Sequence, residues 1–135
     1  MKVYHVTKTE EGFKGILQEK VLIPGRNINH STPLTHLSLD PFRPGSWALD
    51  VIGKDTNKAW IFELEISDDT PVQPDPTNEG ELYNGKWVVV EGNLPVEIRS
   101  CVYIPNVQKW EMREIQEEIV DVAREANPPS EVKFR

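Results

Sequence analysis

Four polar side chains in the N-terminal half of the chain have the chemistry of a small-ligand site. His5 and Thr7 lie at the end of the first predicted strand, Arg26 lies in a turn-rich stretch, and Ser38 lies in a later strand. An imidazole and two hydroxyls can hydrogen-bond to a ligand, and a guanidinium binds anions well. Their positions at strand ends predict that they bind an anionic small molecule.

Each of these residues also has a structural interpretation. His5 would be a hydrogen-bonded strand histidine, and Thr7 would cap the helix that follows. Arg26 would be a solvated loop cation, and Ser38 would lie on the outer face of a sheet. None of the four residues decides the question singly, so the binding interpretation depends on the set.

Several other kinds of site are excluded by the sequence motifs. The chain has no glycine-rich dinucleotide or phosphate loop and no nucleophile elbow. The three histidines lack metal-ligand spacing, so no metal is predicted. Cys101 lies within a predicted strand and is interpreted as a small buried hydrophobe rather than a nucleophile. As the single cysteine, it also favours a reducing compartment, and the predicted location is cytoplasmic.

The charge of the chain is divided unevenly along its length. The 135 residues have a formal net charge of −7, but residues 1–60 contain eight basic and six acidic residues, and residues 61–135 contain seven and sixteen. An acidic chain disfavours a broad nucleic-acid surface, which needs excess positive charge. The slightly basic N-terminal half remains compatible with an anionic ligand. No apolar run reaches the roughly 20 residues of a membrane span.

The elements that must position these residues follow from hydrophobic periodicity. Residues 1–6 alternate as a strand, and Thr7 with Glu10 fits a capping box before a short helix. Further strands are predicted at 34–39, 58–66, 86–91 and 98–104. In the strand at 58–66, Glu63 and Glu65 alternate with an apolar face and are expected to be solvated. Residues 46–52 are predicted to be a short helix and residues 67–85 a long irregular loop.

The chain ends in a predicted amphipathic helix over residues 107–126, with Asn106 as its cap. The order of elements predicts an α+β fold with a split, mostly antiparallel β core, a short N-terminal helix and a longer C-terminal one. A β core over residues 1–105 and a C-terminal helix and tail over 106–135 would form one domain, because no repeat or linker divides the chain.

Several segments together resemble small ADP-ribosyltransferase-like proteins. Residues 3–7 (Val-Tyr-His-Val-Thr), 13–17 (Phe-Lys-Gly-Ile-Leu) and 21–25 (Val-Leu-Ile-Pro-Gly) are similar to that family's opening strand, helix and second strand. Residues 34–41 (Leu-Thr-His-Leu-Ser-Leu-Asp-Pro) resemble a core strand. Residues 86–98, with Leu-Pro-Val-Glu-Ile at their end, resemble a late strand and the loop after it.

The resemblance implies NAD as a substrate and a cleft that binds it. His5 would contact the hydroxyls of the nicotinamide ribose, Thr7 would support the same end of the ligand, and Ser38 would lie near the nicotinamide side. Arg26 would meet the pyrophosphate. The implied reaction is transfer of ADP-ribose from NAD to a macromolecular acceptor, through an oxocarbenium-like state that a carboxylate stabilises.

The sequence departs from the family at that carboxylate. The family's glutamate starts the late strand, where this chain has Lys86. A lysine would repel a cationic transition state. Glu79 and Glu81 lie just upstream and are the predicted catalytic residues.

Two alternatives stay open. The chain would be a catalytically degenerate binding module of the same family, or an unrelated interaction domain that binds a protein partner through its acidic C-terminal helix.

Overall fold

The computed structural model of the chain describes residues 1–24, 33–40, 57–74, 87–125 and 133–134. Its strands are β1 (Lys2–Thr7), β2 (Val21–Leu22), β3 (Leu34–Ser38), β4 (Lys58–Glu65), β5 (Gln73–Pro74), β6 (Trp87–Glu91), β7 (Leu94–Pro95), β8 (Glu97–Pro105) and β9 (Lys133–Phe134). Its helices are α1 (Glu10–Glu19), a 3₁₀ helix (Val107–Lys109) and α2 (Met112–Glu125). The predicted helix at 46–52 lies outside the described residues.

Seven strands form one sheet in the order β5-β6-β3-β1-β4-β8-β9, and β2 pairs with β7 in a separate two-stranded sheet. Among the described strands, every pair is antiparallel except β8 with β9. The fold is therefore α+β with a mostly antiparallel sheet, as predicted. The first strand in sequence, β1, lies at the centre of the large sheet, between β3 and β4. Its side chains point alternately to the two faces, so they lie beneath the elements that cover each face.

The large sheet is packed on both faces. On one face, Val3, Phe62 and Leu37 pack with Ile16 of α1. On the other, Val6 and Ile61 belong to a second cluster with apolar residues of α2. The prediction that Glu63 lies on a solvated strand face is wrong, because β4 is central and its second face is also covered. The Glu63 side chain is only 3% exposed.

The N-cap of helix α1 lies two residues later than the predicted cap, Thr7. The Thr9 hydroxyl accepts a hydrogen bond from the Gly12 N–H at 3.0 Å, so Thr9 is the N-cap and the capping role predicted for Thr7 is wrong. Thr7 instead ends β1, opposite Trp60 of β4. The Thr7 side chain therefore does not cap the helix, and it lies on the face of the sheet that α1 covers.

The predicted C-terminal helix is interrupted. The 3₁₀ helix ends at Lys109, Trp110 is extended, and α2 begins at Met112. Asn106 adopts a left-handed conformation with φ of 54° and makes no capping hydrogen bond through its side chain, which corrects the predicted cap. Ile115 and Ile119 of α2 are buried against the sheet. None of the described helices is long and apolar enough to span a bilayer.

Candidate functional site

A surface pocket of about 420 Å³ lies between β1, α1 and β2. Its polar lining comes from His5 and Thr7 of β1 and from Glu11 and Glu19 of α1. Apolar atoms of Ile16, Leu22 and Ile23 complete it. The volume falls within the range of about 300–1,000 Å³ that small-molecule sites occupy, and a mostly apolar wall with few polar groups is typical of them. The pocket brings together two of the predicted site residues.

His5 is hydrogen-bonded to the protein through one nitrogen of its ring, and the other nitrogen has no hydrogen-bond partner among the described residues. The Nδ1 atom lies 3.1 Å from the main-chain oxygen of His36 on β3. A carbonyl oxygen only accepts, so Nδ1–H is the donor. Burial lowers the pKa of His5, which favours the neutral ring. The neutral tautomer with a proton on Nδ1 has a lone pair on Nε2, so the imidazole that lines the pocket is a hydrogen-bond acceptor.

β1 and β3 pair over only a short length beside His5. Tyr4 lies opposite Ser38 in the antiparallel pair, and this is the one register position at which β1 and β3 pair. Two residues before Ser38 on β3, the His36 oxygen accepts a hydrogen bond from the His5 imidazole. This bond fixes the orientation of the His5 ring beside the pocket.

Thr7 is held at the pocket by close packing of the helix. A Cβ atom placed on Gly12 would overlap the Thr7 hydroxyl oxygen and would come within 3.0 Å of the Thr9 hydroxyl oxygen. The absence of a side chain at residue 12 therefore lets the first turn of α1 lie directly on the end of β1. One turn along the helix, Gly15 has open space beside it, because a Cβ there would meet no atom within 4 Å.

The carboxylates of α1 make the pocket acidic. Glu11 and Glu19 are both exposed, and neither forms an ion pair with another described residue. Lys14, the one basic residue within α1, pairs with Glu10 at 3.4 Å. No lysine or arginine is among the described residues that line the pocket. This part of the site suits a neutral or cationic group that donates hydrogen bonds, not a phosphate.

The far wall of the pocket is fastened to the end of α1. Lys20 has a φ of 54° and its N–H bonds to the Ile16 oxygen, which ends the helix and turns the chain into β2. The Lys20 oxygen then accepts from the Val96 N–H at 3.0 Å, and Leu22 pairs with Leu94. These contacts position the wall that carries Leu22 and Ile23.

Ser38 is not brought to this pocket. It shares a sheet face with Tyr4, opposite the face of His5, and it is fully buried rather than on an outer face. Its hydroxyl donates to the main-chain oxygen of Asp40 at 2.8 Å and accepts from the main-chain N–H of Asp40 at 3.1 Å. Its hydrogen bonds are therefore local ones that close the turn after β3.

Arg26, Glu79 and Glu81 lie outside the described residues, as does Lys86. The predicted contact of Arg26 with a pyrophosphate and the predicted catalytic role of Glu79 or Glu81 therefore stay predictions.

Sequence reasoning missed a buried polar pair on the face of the sheet opposite the pocket. The Tyr4 hydroxyl donates to Glu63 Oε2 at 3.0 Å, and Lys2 Nζ lies 3.9 Å from Glu63 Oε1. Burial, together with the negative charge of Glu63, raises the pKa of Tyr4. Tyr4 and Glu63 lie directly opposite each other where β1 pairs with β4. A sequence signal existed, since both residues lie in strongly alternating strands, but alternation alone does not reveal which strands are neighbours.

Cys101 is free and buried, as the sequence predicted, and burial raises the pKa of its thiol. It packs in the same apolar cluster as Val3 and Phe62. A neutral thiol in such surroundings is a poor nucleophile. The described residues include no group of three or more side chains that would hold a metal ion.

A scan against models of protein families and searches of curated proteins and of solved structures found no match to this chain.

Proposed function

We propose that the chain is an NAD-dependent ADP-ribosyltransferase that acts on a macromolecular acceptor. The observation that supports it most is the His5 pocket. Two residues to which the family resemblance assigns the nicotinamide ribose, His5 and Thr7, line one pocket, and His5 offers Nε2 as an acceptor. The two hydroxyls of a ribose are the donors that such an acceptor needs.

The electrostatics of the pocket support the same end of the ligand. The nicotinamide ring of NAD is cationic, and breaking its bond to ribose gives an oxocarbenium-like state. Both are stabilised by nearby carboxylates, and Glu11 and Glu19 line the pocket. In the proposed reaction, the electron pair of the bond between C1 of the ribose and the ring nitrogen leaves with neutral nicotinamide. The acceptor nucleophile then bonds to that carbon and releases a proton.

The split β core that the resemblance implies is part of this proposal. Its support is the short pairing of β1 with β3 beside the pocket and the separate β2–β7 sheet. The ligand would enter where those strands diverge, with Arg26 at the pyrophosphate and Glu79 or Glu81 as an additional carboxylate. The free, buried Cys101 supports a cytoplasmic location.

Labelled NAD incubated with the full chain and a cell lysate tests the proposal. We expect a labelled macromolecular product and release of nicotinamide. Replacing His5 with alanine should lower the rate about tenfold, the effect of roughly 1.4 kcal/mol for a lost hydrogen bond. His5→Ala also removes a hydrogen bond to β3. Gly15→Phe therefore serves as a second variant, because residue 15 lines the pocket, a Cβ there meets no atom within 4 Å, and the His5 bond is kept.

His36→Ala is the matched control, because it keeps the main-chain oxygen that holds His5 and removes an imidazole that does not line the pocket. Its rate should equal that of the unchanged chain. Absence of product, of NAD turnover and of NAD binding by calorimetry would contradict the proposal.

A catalytically degenerate binding module is the second candidate, and Lys86 at the position of the family's glutamate favours it. Calorimetry then gives NAD binding that His5→Ala weakens, with no turnover. Glu79→Ala and Glu81→Ala would leave any trace activity unchanged. Loss of turnover in either variant would instead assign that glutamate to the reaction and overturn this candidate.

A further inference from the structure

We infer that the acceptor of the proposed transferase is a cationic protein segment, and that it crosses α1 at Gly15 to reach the His5 pocket. This rests on the proposed function, since it names the second substrate of the same site. A second depression of about 490 Å³ lies on the outer side of α1, lined by Glu10, Lys14 and Gln18.

The two depressions share Glu11 and Gly15. At Gly15 a side chain would extend into open space, since no atom lies within 4 Å of an added Cβ. The helix surface between the two depressions is therefore low at this one turn. An extended chain can cross there, with part of it on the outer depression and one side chain directed into the pocket.

The charge along this path selects a cation. Of the carboxylates that line it, Glu10 is neutralised by Lys14, whereas Glu11 and Glu19 have no ion-pair partner among the described residues. Both face the path from exposed positions, where a guanidinium or an ammonium can reach them. A negatively charged segment would be repelled by the same residues.

The apolar part of the path fits the remainder of a long basic side chain. Ile23, at the edge of the pocket, is 69% exposed, which makes it the most exposed large apolar side chain among the described residues. Lysine and arginine have aliphatic stems that pack on apolar surface while the charged end stays at polar groups. An acidic helix next to an exposed isoleucine therefore matches an arginine or lysine side chain better than a carboxylate or a hydroxyl.

Fluorescence anisotropy with two labelled nonapeptides tests the inference, one alternating arginine with alanine and one alternating glutamate with alanine. The unchanged chain should bind the arginine peptide at least tenfold more tightly at low salt. The Glu11→Gln/Glu19→Gln double variant should lose at least fivefold in affinity for it. Gly15→Leu, which changes no charge, should also weaken binding because its side chain fills the crossing point.

A double variant with the same change of charge elsewhere, Glu97→Gln/Glu117→Gln, controls for general attraction to an acidic protein. Those residues are exposed on β8 and α2, away from both depressions, and we expect less than a twofold effect. Equal weakening by the two double variants, equal binding of both peptides, or full affinity in Gly15→Leu would each overturn the inference.

Calorimetry with NAD separates this inference from the proposed function. Peptide binding without NAD binding would leave the cationic segment in place and remove the transferase. NAD binding with no preference for the arginine peptide would retain the transferase and remove the cationic acceptor.

Discussion

Tyr4 and His5 are neighbours on the central strand, yet the two faces of the sheet place them in opposite situations. The Tyr4 hydroxyl is enclosed and donates to a buried carboxylate, Glu63. The His5 ring donates a hydrogen bond from Nδ1 to the main-chain oxygen of His36 on β3, and the ring lines an open pocket. On the face of Tyr4, the polar groups hydrogen-bond to each other. On the face of His5, the Nε2 atom of the ring remains as an acceptor for a ligand.

This difference separates stabilising polar groups from binding ones better than residue type does. Histidine, tyrosine and glutamate all occur in active sites, but a buried group whose partners are all within the protein has nothing to offer a ligand. Glu63 is buried and hydrogen-bonded to Tyr4 on the face away from the pocket, whereas Glu11 and Glu19 are exposed and line the pocket. The comparison therefore predicts stability effects on one face and binding effects on the other.

The largest stability effect should come from Tyr4→Phe. The substitution keeps the ring but removes the hydroxyl that donates to Glu63, and it leaves a buried carboxylate without that partner. We expect the free energy of unfolding to fall by about 2–3 kcal/mol, measured by urea denaturation. Tyr103→Phe is the matched control, since Tyr103 is 37% exposed and stacks on Trp60 through its ring. NAD affinity should be the same in both variants.

Alkaline pH provides a second measurement on the same pair. The pKa of Tyr4 is raised in the folded state, so above pH ~10 the unfolded chain loses a proton that the folded chain retains. The stabilising contribution of Tyr4 is thus present below pH ~10 and declines as the pH rises further. The difference in stability between the unchanged chain and Tyr4→Phe should shrink in that range. A constant difference would mean that the pair is not buried as described.

The two glycines of α1 give effects of opposite sign. Gly12→Ala should destabilise the chain by about 1–2 kcal/mol and weaken NAD binding, because its methyl group would collide with the Thr7 hydroxyl and displace the helix. Gly15→Ala should stabilise it by about 0.5–1 kcal/mol, because alanine favours the helix and its methyl group has room. Thermal and urea unfolding measure both. Equal effects of the two substitutions would contradict the packing of α1 on β1.

The smallest effect should come from His5 at acid pH. Its pKa is lowered in the folded state, so its contribution to stability is fully present above pH ~6.5 and declines as the pH falls toward the folded pKa. Protonation of Nε2 also removes the acceptor, so NAD affinity should fall over the same range. Isothermal titration at several pH values checks this. His5→Gln, which cannot take up a proton there, should have a flatter pH profile; an unchanged profile would exclude His5 as the acceptor.

The sequence predicted the elements better than it predicted their neighbours. Alternation placed β1 and β4 nearly at their observed bounds, and the stripe containing Ile115 and Ile119 identified the buried side of α2. Alternation reports only one apolar face, however, so it assigned Glu63 to solvent. The burial of Glu63 follows from the pairing of β4 with both β1 and β8, which no local pattern contains.

The candidate site was predicted in part for the same reason. His5 and Thr7 are two residues apart in one strand, and period 2 places them on one face wherever that strand lies. Ser38 comes from a different strand, and the register of Tyr4 with Ser38 places it on the opposite face. Glu11 and Glu19 gave no sequence signal, because exposed glutamates on a short helix are ordinary surface residues until a pocket forms beside them.

The central place of β1 has a consequence for how the chain reaches its fold. Both neighbours of this strand are made later, and the bond from Tyr4 to Glu63 joins residues 59 apart in sequence. During synthesis β1 can therefore pair with β3 first, but it waits for its other neighbour, β4, until residues 58–65 have been made. Non-local pairing of this kind slows folding, since a long loop must close before any ladder forms. The strand that carries His5 is thus made before both of its neighbours and is secured on both edges only after β4 has formed.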